Sequence, residues 1–507
     1  MNQEQKISKE ESSPHPIREG KGAGLSLLLK DTAIYGLSSI VGRFLNYMLV
    51  PIYTQRMSAA SGEYGVITNV YAYVAVLLVI LTYGMETTFF RYANKQGEQA
   101  EKVYSTTLWM VGTTSLLFLV LTMFFLQPIA NLMQYGDHPE YIACMFTVVA
   151  IDAFQSIPFA YLRYQKRPIK FAALKFLFIA MNMALNCFYY LVLGGHDART
   201  AFVINLICTT TITFFFGKEL RGFRNGFDVA LMKRMLSYSW PILVLGIAGV
   251  LNQTADKMLF PYLYKSADMK EQLAIYGAVF KIAMIMAMIT QAFRFAYEPI
   301  VFGRSQDKDS KEYYASAMKY FLIFTLLAFL VVVGYIDLFK LLIASDYWVG
   351  LRVVPIVMAA EIMMGVYFNL SFWYKLTDRT IWGAVLSGIG CAMLFAVNIL
   401  FVPRYGYIAC AWGGFAGYLT AMLLSYFVGQ KYYPIRYPLK SMAVYVAIAA
   451  LFTAVMIFGR EKLPIWASLM VNTVMVGAFV AHIVHHDLPL EKIPFVKDFV
   501  SKTTRHS

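Results

Sequence analysis

Residues 64–95 read YGVITNVYAYVAVLLVILTYGMETTFFRYANK. From Tyr64 to Met85 there is no charged side chain, and at 1.5 Å per residue such a run crosses about 30 Å of hydrocarbon. Glu86, Arg91 and Lys95 then mark an exit into water. The same pattern recurs along the chain, so this stretch decides the class: an all-α integral membrane protein.

The composition agrees. Of 507 residues, 59% are hydrophobic and 15% charged, against roughly 25% charged in soluble domains. Fourteen transmembrane helices are expected, at 31–53, 64–86, 104–126, 141–163, 171–193, 200–217, 236–262, 273–300, 316–336, 350–373, 380–402, 405–428, 440–459 and 464–486. The opening thirty residues are polar and read as a tail, not a cleavable leader. All five cysteines fall inside apolar runs, as small core residues do.

No CxxC, HExxH, GxxxxGK[ST] or GxSxG sequence occurs, so nothing points to an ATPase, hydrolase or metalloenzyme. The formal charge of +14 is spread over loops, which argues against nucleic-acid binding. With the N-terminus placed in the cytosol, 29 of the 44 lysines and arginines lie on inside segments and nine on outside ones. That bias orients the chain with both termini cytosolic.

The chain also repeats. YMLVPIYTQRMSAASGEYGV (47–66) matches KMLFPYLYKSADMKEQLAIYGA (257–278), pairing Pro51 with Pro261 and Tyr64-Gly65 with Tyr276-Gly277. From Gly65 to Glu86, and from Gly277 to Glu298, the interval is the same. Two six-helix lobes are therefore expected, 31–217 and 236–428, joined by a basic cytosolic linker at 218–235. Two extra helices at 440–486 and a tail at 487–507 complete the plan. Lobes of six spans share one orientation, the parallel-repeat arrangement of transporters with a site between them.

KDTAIYGLSSIVGRFLNYMLVPIYT (30–54), the Glu63-Tyr64-Gly65 entry and the YGMETTFFRY exit resemble bacterial polysaccharide flippases of the O-antigen type. That family belongs to the multidrug/oligosaccharidyl-lipid/polysaccharide exporter superfamily. The resemblance implies a V-shaped bundle in the bacterial inner membrane that flips a polyprenyl-pyrophosphate-linked oligosaccharide by alternating access. It implies no catalysis and no cofactor, though coupling to a proton or sodium gradient is compatible with it. Its partners would be the lipid-linked substrate, membrane lipid and polysaccharide assembly enzymes, around a monomer.

Charges inside spans need a reason, because each costs about 2.5–3.5 kcal/mol on insertion scales. Lys175 and Lys319 lie near span ends and can snorkel. Arg43 shares a helix face with Ser39 and Asn46, and Gly249, Gln253 and Asp256 repeat that spacing. Lys281 heads a face continuing through Gln291 to Glu298, and the matching face of the second span carries Asn69, Tyr73 and Glu86. Arg43, Lys281, Arg294 and Lys257, with Asn46 and Gln253, are the expected cationic cavity, because guanidinium and ammonium groups suit a pyrophosphate. Arg43 could instead pair with Asp152 or Glu361, and Lys257 could be an interfacial anchor.

Asp152, Asp256 and Glu361 are candidates for ion coupling or for salt bridges. Glu86 and Glu298, with Arg91 and Arg294 as partners, are candidates for an inner gate or plain interfacial charge. A cation-coupled multidrug exporter is the rival reading. A membrane glycosyltransferase would need a larger loop than QPIANLMQYGDHPE (127–140).

Overall fold

The computed structural model describes residues 47–303, 307, 309–377 and 379–487. Residues 47–56 are helical; Arg43 and Asn46 lie outside the described residues. The longer helices that follow are α1 (Glu63–Thr82), α2 (Met85–Ala93), α3 (Ala100–Phe124), α4 (Pro139–Tyr164), α5 (Pro168–Cys187), α6 (Ala198–Phe214) and α7 (Val229–Leu263). Then come α8 (Met269–Ala283), α9 (Ile285–Gly303), α10 (Ser310–Gly334), α11 (Val354–Leu370), α12 (Ile381–Tyr405), α13 (Tyr407–Tyr432), α14 (Leu439–Lys462) and α15 (Ile465–His486). No strand occurs among the described residues.

Eleven helical stretches among the described residues are long and apolar enough to cross a membrane, or thirteen when each of two bent pairs counts as one span. Each overlaps one of the segments expected from residue 64 onward. Their ends differ for local reasons. Asp228 caps α7, its Oδ1 accepting from the Leu231 N–H at 2.9 Å, which starts a helix of 35 residues. The stretch 218–235 holds a 3-10 turn at Glu219–Asn225 and the first residues of α7.

The expected span 273–300 is broken at Met284, with α8 and α9 bent by 40°. A second break separates α1 from α2, at Tyr83 (φ 32°) and Gly84 (φ 72°). A Cβ on Gly84 would stand 2.8 Å from Cγ2 of Ile242, so glycine is needed both for the left-handed turn and for close approach to α7.

The two Tyr-Gly pairs of the repeat lie on helices that cross, each glycine against the other helix. A Cβ on Gly65 would lie 2.5 Å from the Lys270 carbonyl oxygen, and one on Gly277 would lie 2.1 Å from Thr68 Oγ1. The backbones of α1 and α8 therefore cross where neither can carry a side chain. Val70 of α1, Phe260 of α7, Tyr276 of α8 and Leu330 of α10 share one continuous buried core around this crossing. Phe124, Phe214, Trp466 and Val474 lie exposed on the outside, an apolar surface suited to lipid.

The last two helices lean on α10. Asn472 Nδ2 donates to the Gly334 carbonyl at 2.6 Å. Lys319 pairs with Asp487, which also accepts from the Tyr445 hydroxyl at 2.6 Å.

Candidate functional site

The polar core is built around a proline. Pro261 has no N–H, so the Lys257 carbonyl one turn earlier loses its helical donor. Asn69 of α1 supplies a replacement, its Nδ2 donating to that carbonyl at 2.7 Å while its Oδ1 accepts from the Tyr135 hydroxyl at 2.9 Å. Tyr73 adds a contact one residue on, donating to the Met258 carbonyl at 3.3 Å. Asn69 and Tyr73, expected on a cavity-lining stripe, are thus engaged by the backbone of α7.

Next to this break, Asp256 and Lys257 are both buried. Lys257 Nζ donates to both Asp256 carboxylate oxygens at 3.1 Å and to the Gln253 carbonyl at 3.1 Å. Tyr276 donates to Asp256 Oδ2 at 2.6 Å. The ammonium lies 3.6 Å from the Phe280 ring centroid, a cation–π contact. Lys257, expected among cations facing a ligand, is neutralised by its own neighbour in sequence. Pairing of this kind offsets part of the cost of burying both charges.

Asp256, Gln253 and Glu361 are brought together, as lining of one cavity of about 20 Å³ that also touches Asn252, Tyr276 and Tyr418. Such a space holds roughly one water or a small ion. Glu361 Oε2 and the Tyr418 hydroxyl are buried without a hydrogen-bond partner among the described residues. With Lys257 spent on Asp256, Glu361 is the carboxylate here whose valence is open. It can accept a proton, or hold a small cation with the neighbouring side-chain oxygens.

Lys281 stands apart from that cavity. It is partly buried in the last turn of α8, with its Nζ 5.9 Å from the Tyr47 ring centroid. No ion pair joins it to another described residue. Asp152 is also separate: its Oδ1 accepts from Thr209 Oγ1 at 3.2 Å, and Lys175 is its electrostatic partner. Lys175 in turn sits 3.9 Å from the Phe159 ring centroid.

The carboxylates at the helix ends are paired, though not wholly as expected. Glu298 accepts from Lys375 Nζ at 2.8 Å and from Arg294 Nε at 3.3 Å, so the expected Arg294 shares it with a second cation. Glu86 pairs with Arg163, not with Arg91. The reason is direction: Arg91 turns toward α7 and stacks 4.1 Å over the Tyr238 ring, whereas Arg163 ends α4 beside Glu86.

Arg163, Lys375, Tyr276 and Tyr418 were not among the expected site residues. A signal existed for the first two, since Glu86 to Glu298 and Arg163 to Lys375 are equal intervals along the chain. Tyr276 was visible as the repeat's tyrosine; nothing local marks Tyr418.

Among solved structures, the chain resembles a lipid II flippase MurJ in an inward closed conformation, with a TM-score of 0.69 at 14% identity, covering 90% of this chain and 99% of that one. An inward-facing multidrug resistance MATE family transporter of the MOP superfamily matches with a TM-score of 0.60 at 14% identity, covering 77% and 94%. A complex of the MATE multidrug transporter DinF-BH matches with a TM-score of 0.58 at 15% identity, covering 83% and 98%. No curated protein matches the sequence. Residues 28–297, more than half of the chain, match the family model described as polysaccharide biosynthesis protein. The chain is therefore a multi-pass membrane protein of the polysaccharide biosynthesis protein family, with the fold shared by MurJ and the MATE transporters.

Proposed function

We propose that this protein flips a polyprenyl-pyrophosphate-linked oligosaccharide from the inner to the outer leaflet of the bacterial cytoplasmic membrane, by alternating access between two six-helix lobes, for surface polysaccharide assembly. The carrying observation is Lys281. It is a lysine on a membrane-spanning helix with no carboxylate partner among the described residues, while Lys257 in the same half is already neutralised by Asp256. An unpaired ammonium in that position is costly to insert, by about 2.5–3.5 kcal/mol. An anionic headgroup offsets the cost and gains a charge-assisted contact. Arg43, on the polar face of the first span, is the second cation of this reading.

The coupling group in this scheme is Glu361, because Lys257 already occupies Asp256. Asp152 with Lys175 plays a structural part. Glu86 with Arg163, and Glu298 with Lys375 and Arg294, tie helix ends at the cytosolic mouth. The protein works as a monomer, receiving its substrate from glycan assembly enzymes.

A cation-coupled multidrug exporter is favoured by one feature, the open carboxylate of Glu361. Against it, the cavity at that carboxylate is about 20 Å³, whereas drug-sized ligands need roughly 300–1,000 Å³. The deciding experiment uses proteoliposomes and two cargoes, a fluorescent polyprenyl-pyrophosphate oligosaccharide and a cationic dye. Movement of the glycolipid, lost in Lys281→Ala, is expected. Dye efflux sensitive to Glu361→Gln, with no glycolipid movement, overturns the reading.

A further inference from the structure

The α1–α2 break leaves a groove of about 920 Å³, walled by α3 and α7 and floored by the end of α1. Its lining is almost wholly apolar, with Trp109, Met232, Leu236, Trp240 and Leu243 prominent. Three of the polar side chains that line it are engaged by backbone carbonyls, among them Ser239, whose Oγ donates to the Leu236 carbonyl at 3.2 Å. Trp109 Nε1 donates to the Phe223 carbonyl at 3.2 Å, and Thr114 Oγ1 to the Met110 carbonyl at 3.0 Å. What remains open is hydrocarbon surface: Trp109 and Trp240 are 43% and 66% exposed.

Both walls end in a lysine at the same end of the bundle. On α3, Lys102, Trp109 and Thr113 stand at i, i+7 and i+11. On α7, Lys233, Leu236, Trp240 and Leu243 stand at i, i+3, i+7 and i+10, again a single stripe. Lys102 Nζ donates to the Asn225 carbonyl at 2.9 Å, which keeps two of its protons for another acceptor. Lys233 is exposed. The nearby Arg234 is engaged by Glu98 at 2.9 Å, and Asp228 is engaged in capping α7. From Lys233 to Leu243 the helix rises about 15 Å, half of the roughly 30 Å hydrocarbon core. The groove is one leaflet deep, basic at its mouth and apolar within.

We propose that it binds an anionic glycerophospholipid of the leaflet at the Lys102–Lys233 end, with an acyl chain in the groove and the phosphate between the two lysines. Because α1 and α3 belong to the first half of the chain and α7 to the second, the bound lipid bridges the two. It stabilises the arrangement in which the Gly84 break rests on Ile242. This lipid is resident, not cargo, and the inference stands whatever the protein transports.

The test is native mass spectrometry of the full-length protein in neutral detergent, with phosphatidylglycerol or phosphatidylcholine of identical acyl chains. One phosphatidylglycerol should be retained with about tenfold preference, equivalent to about 1.4 kcal/mol. Lys102→Gln/Lys233→Gln, which removes both charges and leaves the apolar lining in place, should erase the preference between the two lipids. Thr113→Trp, which fills the groove, should lose both, with helicity by circular dichroism checking its fold. Equal retention of the two lipids by the unsubstituted protein, or undiminished retention by a folded Thr113→Trp, overturns the proposal. Displacement of phosphatidylglycerol by equimolar undecaprenyl phosphate would assign the groove to a carrier lipid instead and also overturn it.

Discussion

Lys375 holds Glu298 at 2.8 Å, tying the segment after α11 to the end of α9. Arg163 does the same for Glu86 between α4 and α2, at the equivalent place in the first repeat. The two carboxylates and their two partners stand at equal intervals along the chain, with arginine as the basic partner in one pair and lysine in the other.

The Lys375 and Glu298 side chains are 26% and 29% exposed, so water screens much of their attraction and the coupling should be small. In a double-mutant cycle, Glu298→Gln and Lys375→Gln should be non-additive by no more than about 1 kcal/mol. Thermal unfolding in detergent measures it, and strict additivity would show that the pair contributes no stability.

Asp256 is a different case, because it and Lys257 are buried. Removing the carboxylate strands an ammonium and leaves the Tyr276 hydroxyl without its acceptor. Asp256→Ala should cost about 3–5 kcal/mol. Asp256→Leu/Lys257→Met, which removes both charges, should be clearly more stable than the single variant by scanning fluorimetry.

Lys281 should matter for transport and little for stability, since no described carboxylate depends on its charge. Lys281→Ala, and Arg43→Ala with it, should abolish surface glycan while the protein remains inserted at normal abundance. Lys281→Arg should retain part of the activity. Unchanged surface glycan in both alanine variants would remove the anion-binding role.

Gly277→Ala places a methyl group where Thr68 Oγ1 would be 2.1 Å away. Overpacking of this kind costs about 1–3 kcal/mol. Thr68→Ala in the same chain should recover part of the loss, whereas Thr68→Ala alone should be nearly silent. Melting temperatures of the three variants decide it; a Gly277→Ala protein as stable as the original would show that α1 and α8 can separate freely there.

The helical segments beyond residue 64 were legible because a lipid solvent imposes a length and forbids unpaired backbone. That demand is local, so Tyr64–Met85 announces a span without reference to anything else in the chain. The repeat was legible for a similar reason: Pro51 and Pro261, Gly65 and Gly277 are backbone requirements written directly as residue types. Even the Asn69 contact had a trace, since a proline at 261 leaves a carbonyl in need of a donor.

Which charge meets which was settled by the fold alone. Glu86 takes Arg163 because α4 ends beside it, while Arg91, closer in sequence, is turned toward Tyr238. Lys257 and Lys281 look alike along the chain, yet one is saturated by Asp256 and the other has no carboxylate partner among the described residues. The sequence by itself determined that this is a helical bundle for a membrane, because hydrophobic length and backbone chemistry are properties of single segments. Tertiary structure alone decided which charges are paired, because adjacent residues such as Asp256 and Lys257 meet only when their side chains turn toward each other, and Glu86 meets Arg163 only when α2 and α4 pack side by side.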